Sequence, residues 1–228
     1  MADGKKSDLP VRAASAVAMI AVAGGALWLG GWFWTAFVVA VAAGVLLEWW
    51  GLVTKFVPAL PLRAVWMLGG LIYVGLAATM FAALRSVPNP GALALLIAVI
   101  LAVICTDVGA YFSGRTFGGP KIAPAISPSK TWAGLIGGMA GASFALVLAT
   151  YPAEGLDDFG LKLVAGIVLA VVAQSGDFFE SWMKRRAGVK DSSHLIPGHG
   201  GLFDRADGML AVMFVIGLLA SFNFAARG

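Results

Sequence analysis

Charge is scarce in this chain. Asp, Glu, Lys and Arg make up 12% of its 228 residues, against 60% hydrophobic, whereas a soluble domain carries roughly a quarter charged residues. A large water-soluble domain would need polar helix faces, and those are missing. Cysteine is nearly absent. The lone Cys105 excludes an intrachain disulfide and leaves no oxidising-compartment signature. Histidine is confined to His194 and His199, which lie on either side of Pro197-Gly198 far from that thiol, so no zinc-ligand set is assembled. No Ser–His–Asp order or nucleophile elbow makes Ser181 an acyl nucleophile. Ser129-Lys130-Thr131 looks like the end of a P-loop, but the GxxxxGK frame is absent. Internal repeats and low-complexity tails are missing too.

What the chain has in abundance is apolar runs close to the length of about 20 residues that spans a bilayer. They predict an all-α polytopic integral membrane protein with seven spans, near 12–31, 33–50, 64–84, 91–112, 132–150, 161–180 and 207–225, the count being bounded at six to nine. Between them stand turn formers such as Gly30-Gly31, Pro88-Asn89-Pro90 and Gly198 to Gly201. The first run, Ala13–Leu29, follows Lys5, Lys6 and Arg12. It is long for a signal-peptide core and a second span follows at once, so it is expected to be an uncleaved helix. With the N-terminus in the cytoplasm and alternating spans, thirteen of the sixteen Lys and Arg residues fall inside, leaving Arg85, Lys162 and Arg227 outside. This is the bias of the positive-inside rule, and the acidic loop Tyr151–Gly160 agrees with it. Trp28, Trp32 and Trp34 at the outer ends, and Trp49, Trp50, Trp66, Trp132 and Trp182 at the inner ends, read as interface anchors.

The acids sort to one end of these spans. Glu48, Asp107, Asp177, Glu180, Asp204 and Asp207 all fall at cytoplasmic helix ends, where an acid costs several kcal/mol unless paired, hydrated or bound to a cation. Glu48 taken alone reads as a paired interface acid. Asp177, Glu180, Ser181 and Lys184 share a helix face by their spacing, as do Asp204 and Asp207. Two acidic helix ends beside Gly-containing turns suit Mg²⁺, which bonds to few carboxylates and to substrate phosphates. A solvated helix start, or Glu180–Lys184 pairing alone, would give the same spacing. Lys184, Arg185, Lys190 and Arg205 surround the acids, and Arg115, Lys121 and Lys130 form a second basic group. Bases around Gly-rich turns suit a polyphosphate; they also serve as orientation signals touching anionic lipid, the better reading for Arg186. A cation-coupled transporter would need its acids at mid-membrane on broken helices. A CDP-alcohol phosphotransferase would need Ala-Arg after Asp207-Gly208, and none follows.

Taken in order, Ser181-x2-Lys184-Arg185-x4-Lys190-Asp191-x4-Ile196-Pro197-x-His199-Gly200-Gly201-x2-Asp204-Arg205-x-Asp207 resembles the signature of the phosphatidate cytidylyltransferase (CDP-diacylglycerol synthase) family. Asp107-x-Gly-Ala-Tyr111-Phe-x-Gly114-Arg115-x-Phe117-Gly118 and Ser127-Pro128-Ser129-Lys130-Thr131-Trp132-x-Gly134 are similar to two further family segments. Ser129 stands where the family often has Lys. The resemblance covers about residues 100–212 and divides the single membrane domain into an N-terminal transmembrane region, 1–90, and a catalytic one, 91–228. It implies transfer of CMP from CTP to phosphatidic acid with Mg²⁺, a second cation being left open, in a bacterial inner membrane with the site facing the cytoplasm. The implied partners are CTP, phosphatidic acid, the lipid bilayer and a second copy in a homodimer; nucleic acid is not among them. It further implies Asp177 and Asp204 as metal ligands, supported by Asp207, with Lys184 and Arg205 in the catalytic group. Lys130, Ser129, Arg115, Ser181, Arg185, Lys190, His199, Gly200 and Gly201 are implied on the substrates.

The topology is open to direct test. A reporter inserted in the loop Gly155–Gly160, or fused after Gly228, should lie outside the cytoplasm. Cytoplasmic labelling of the acidic loop would overturn both the seven-span orientation and the side assigned to the site.

Overall fold

The computed structural model describes residues 9–225; Lys5, Lys6 and Arg227, which entered the orientation count, lie outside the described residues. The elements are α1 (Leu9–Leu29), α2 (Gly31–Phe56), α3 (Leu60–Ser86), α4 (Pro90–Thr116), the hairpin strands β1 (Lys121–Ala123) and β2 (Ser127–Thr131), α5 (Trp132–Glu154), α6 (Phe159–Arg186) and α7 (Phe203–Ala225). All seven helices are long and apolar enough to cross a membrane, as the sequence predicts. Several run past their expected ends. α4 reaches Thr116 and α6 reaches Arg186; the last turn of α6 finds partners in Asp204 and the Ile126 carbonyl. Local chemistry sets other ends. Asn89 caps α4 by accepting from Gly91 N at 2.9 Å, with Pro90 at the first helical position. Thr131 caps α5 through Gly134 N at 3.1 Å, which joins the hairpin directly to that helix.

The bundle is held in two ways. α4, α5 and α6 meet through small residues. A Cβ on Gly141 would run into the Cys105 carbonyl, one on Gly137 into Ser113, and one on Gly166 into Ser143. Surrounded by lipid as apolar as they are, helices gain by close van der Waals contact, and small residues permit it. Ala98, Ala102, Ala142, Ala145 and Ala170 continue this seam. The other half, α2, α3, α6 and α7, packs large side chains around Trp49, whose ring lies 5.6–6.3 Å from those of Trp66, Tyr73, Phe179 and Phe203.

Two tryptophans therefore correct the sequence reading. Trp34 and Trp49 are 3% and 2% exposed, so they are core residues and not interface anchors. Both face inward, and each buried indole N–H is satisfied across the bundle, by the Phe81 carbonyl at 2.9 Å and the Trp66 carbonyl at 3.1 Å. Trp28, Trp32, Trp50 and Trp132 remain exposed.

α1 stands apart: it has no buried residue. It is fastened near each end. Arg85 donates to the Leu27 and Trp28 carbonyls at 2.9 and 3.3 Å, completing a helix C-terminus whose carbonyls lack partners. At the other end Ser15 Oγ donates to the Pro197 carbonyl at 2.9 Å. Up-and-down alternation thus gathers the starts of α1, α3, α5 and α7 and the ends of α2, α4 and α6 at one pole of the bundle, together with the hairpin and the α6–α7 loop.

The small-residue seam predicts an asymmetry. Gly141→Val should lower the melting temperature of the purified protein in detergent, by overpacking worth roughly 1–3 kcal/mol. Gly75→Ala, which opens on free space, should not lower it, since Ala favours a helix over Gly. Equal melting of the two variants would show that the seam does not need its glycines.

Candidate active site

The polar pole encloses a cavity of about 690 Å³. α6 forms its floor. Asp177 and Glu180 sit there about one turn apart, and the start of α7 brings Asp207 to them. One carboxylate oxygen from each of these three residues lies within 4.8 Å of the other two. Lys130, carried by β2, forms an ion pair with Asp177, and Ser181 Oγ donates to Asp177 Oδ1 at 3.4 Å. Lys184 bridges Glu180 Oε2 and Asp204 Oδ1, at 2.6 Å each. The other oxygen of Glu180, Oε1, is buried with no hydrogen-bond partner among the described residues. Gln174, one turn deeper on α6, also lines the cavity, and its buried Nε2 has no partner among the described residues.

Ten of the side chains predicted from sequence line this one cavity: Asp177, Asp204, Asp207, Lys184, Arg205, Lys130, Ser129, Arg115, Arg185 and Lys190. Ser181 reaches it through Asp177. His199 and Gly200 face a neighbouring cavity, and Gly201 is buried in the loop, where its N–H donates to Asp204 Oδ2 at 2.8 Å. Arg115 is tied to its own helix, donating to the Tyr111 hydroxyl at 3.1 Å. Arg185 donates to the Ile126 carbonyl at 3.3 Å, linking the end of α6 to the hairpin.

The expected pairing of Asp177 with Asp204 is not the one that the structure brings closest. Glu180 and Asp207 complete the trio with Asp177, while Asp204 is turned toward the α6–α7 loop. Its Oδ2 accepts from Ser192 N at 2.9 Å and Gly201 N at 2.8 Å, and lies 2.7 Å from Ser192 Oγ; its Oδ1 meets Lys184. Asp204 therefore helps to shape the loop while bordering the cavity.

The acids and most of the bases of the order that resembled a family signature thus line one pocket, with its Ile196 to Gly200 stretch at the neighbouring one. Comparison with known sequences agrees. Residues 59–222 match the cytidylyltransferase family. The chain belongs to that family. It is 40% identical over 156 residues to the phosphatidate cytidylyltransferase of Brucella suis, covering 68% of this chain and 57% of that protein. It is 34% identical over 190 residues to that of Rickettsia felis, covering 79% and 80%, and 42% identical over 131 residues to that of Pseudomonas aeruginosa, covering 57% and 48%. The chain thus spans little more than half the length of the Brucella relative.

In this member of the cytidylyltransferase family the loop has an anchor that sequence reasoning undervalued. Glu48, on α2 and 7% exposed, accepts from Leu202 N at 2.9 Å, Phe203 N at 2.8 Å and Ser193 Oγ at 2.7 Å. Its Oε2 lies 2.8 Å from Ser192 Oγ, whose single proton serves Glu48 or Asp204 at any moment. Leu202 and Phe203 are at the N-terminus of α7, where free N–H groups and the helix dipole favour a carboxylate. Bringing Gly201 alongside leaves no room for a Cβ, which would strike Ser192 Oγ and both Glu48 oxygens. Glu48 is 154 residues from Leu202, so no local spacing could have revealed the pairing. Glu180 was noticed for its pairing with Lys184, but its unpartnered oxygen is visible only in three dimensions.

Glu48→Gln should loosen the loop. The amide hydrogens of Leu202 and Phe203 should exchange at least ten-fold faster, since hydrogen bonds to a charged group contribute about 1.5–3 kcal/mol each. Unchanged exchange at both amides would show that the Glu48 carboxylate does not hold the start of α7.

Proposed function

We propose that this protein is a phosphatidate cytidylyltransferase, transferring CMP from CTP to phosphatidic acid to give CDP-diacylglycerol and pyrophosphate. Membership of the cytidylyltransferase family and the names of its relatives support this reading. The observation that carries it is the convergence of Asp177, Glu180 and Asp207 with Lys130, Lys184 and Arg205 around one cavity at the ends of apolar helices. The protein would sit in a bacterial inner membrane with this pole toward the cytoplasm, as the Lys and Arg bias indicates.

In the proposed reaction a phosphate oxygen of phosphatidate attacks the α-phosphorus of CTP. The bond from that phosphorus to the oxygen bridging it to the β-phosphorus breaks, and pyrophosphate leaves with the electron pair. The nucleophile is already anionic, so no strong general base is needed, in keeping with a site whose side chains offer acids and bases but no paired histidine. The obstacle is mutual repulsion of two polyanions. Lys130, Lys184, Lys190 and Arg205 offset it and stabilise charge on the leaving group. Arg205 offers a planar fork suited to phosphate oxygens. Lipid meets the pole from the bilayer, and nucleotide from water.

The donor set fits a hard divalent cation such as Mg²⁺, which takes carboxylate oxygens and substrate phosphates. A bound cation would satisfy Oε1 of Glu180, which is buried and unpartnered among the described residues. Asp177, Glu180 and Asp207 would hold the ion. Asp204, the other acid that the resemblance implied, could join them if Lys184 released its Oδ1. When bound, the ion would supply charge stabilisation at the phosphates.

Purified protein given labelled CTP, Mg²⁺ and phosphatidate should produce CDP-diacylglycerol. Asp177→Asn should reduce turnover by about 100-fold or more, corresponding to about 2.7 kcal/mol or more of transition-state stabilisation, while still folding in the membrane. Absence of product from the unaltered protein would reject the activity. Near-normal turnover of Asp177→Asn at saturating Mg²⁺ would reject the role of that acid.

A further inference from the structure

A second cavity, of about 390 Å³, lies beside the acidic one, where the start of α1 meets the α6–α7 loop. Its lining is basic. Arg12, Lys190, His194, His199 and Arg205 contribute to it, and Asp191 is the sole acid among its described lining residues. Lys190, Asp191 and Arg205 line both cavities, so the two adjoin at a shared wall.

The wall is built while its charges are left unspent. Ser15 Oγ donates to the Pro197 carbonyl and lies 2.8 Å from His199 Nδ1, which holds α1 against the loop. Arg205 Nε donates to the His199 carbonyl at 3.1 Å. The turn itself is closed by Ile196 N to the Gly200 carbonyl at 2.8 Å. The side chains of Arg12 and Lys190, by contrast, make no hydrogen bond or ion pair with the described residues. Cations gathered around one hollow repel each other, and an anion entering it would relieve that repulsion. Arg12 also occupies the first turn of a helix that has no buried residue, at the boundary between the apolar span and the polar pole.

We propose that this cavity is a phosphate subsite and that α1 completes it with Arg12. The proposal rests on the cytidylyltransferase reading, in which both substrates carry phosphate. A group extending from the acidic cavity across Lys190 and Arg205 arrives at Arg12, whether it is the polyphosphate end of the nucleotide or the headgroup phosphate of the lipid. The guanidinium fork of Arg12 would bind two phosphate oxygens, which an ammonium cannot match in geometry. An Arg serving only to orient the first helix would be replaceable by Lys, since either charge satisfies the positive-inside rule.

The test is direct binding, separate from turnover. The purified full chain in detergent, at fixed ionic strength, is titrated by calorimetry with sodium pyrophosphate and, separately, with dioctanoyl phosphatidate. Arg12→Gln should weaken one of these probes about ten-fold or more, through the loss of its charge-assisted hydrogen bonds, and Arg12→Lys should fall between, with unchanged melting temperature in both variants. Weakened pyrophosphate binding identifies the nucleotide's phosphates as the occupant; weakened phosphatidate binding identifies the lipid headgroup. Unaltered binding of both probes overturns the subsite, even in a protein that makes CDP-diacylglycerol. A protein that binds pyrophosphate through Arg12 but yields no CDP-diacylglycerol overturns the proposed reaction and leaves the subsite standing.

Discussion

Glu48 and Asp204 bracket the loop between α6 and α7, and much of the polar pole is arranged to satisfy these two carboxylates. Both are nearly buried: Glu48 is 7% exposed and the Asp204 side chain 5%. A charge withdrawn from water that far must be met by donors. The chain meets it with backbone N–H groups at the start of α7, the N–H groups of Ser192 and Gly201, the two serine hydroxyls and Lys184. Lys184 then spends its second contact on Glu180. The acids that line the cavity are in this way connected to the acids that shape the loop.

The two styles of helix packing serve that pole differently. The glycine and alanine seam of α4, α5 and α6 brings their backbones close, and Asp107 on α4 lines the same cavity as Lys130 and the acids of α6. The aromatic cluster around Trp49 fills the other side and packs Phe203, the first residue of α7, against α2 and α6. Phe203 is fully buried, and its N–H is one of those held by Glu48. Apolar packing and carboxylate capping act on the same residue, fixing where α7 begins and hence where Asp204 and Asp207 stand.

Much of this was legible in the sequence because the bilayer imposes a length. Seven apolar runs of about the spanning length could be counted, and alternation alone brought Glu48, Asp107, Asp177, Glu180, Asp204 and Asp207 to one end. The sharing of a face by Asp177 and Glu180 followed from helical spacing. The division of labour among the acids did not follow. Asp204 and Asp207 are three residues apart on one helix, yet one points to the loop and the other to the cavity trio, a difference set by Ser192, Gly201 and Lys184. Glu48 read as a bland interface acid because its partners are more than a hundred residues away. Trp34 and Trp49 read as anchors because a tryptophan near a span end carries no mark of which face it occupies.

The crowding at Gly201 has a consequence for how such a chain can change over time. Residues 48, 192 and 201 occupy a single volume: a side chain at 201 would overlap both the Glu48 carboxylate and the Ser192 hydroxyl. No position of the three can be altered on its own terms, since enlarging one requires shrinking another, and shrinking Glu48 strands the donors at the start of α7. Their mutational effects are therefore coupled and non-additive, as for any residues sharing one site. Although they come from distant parts of the chain, they are inherited in effect as one character, and drift in the first half of the sequence is constrained by a glycine in the second.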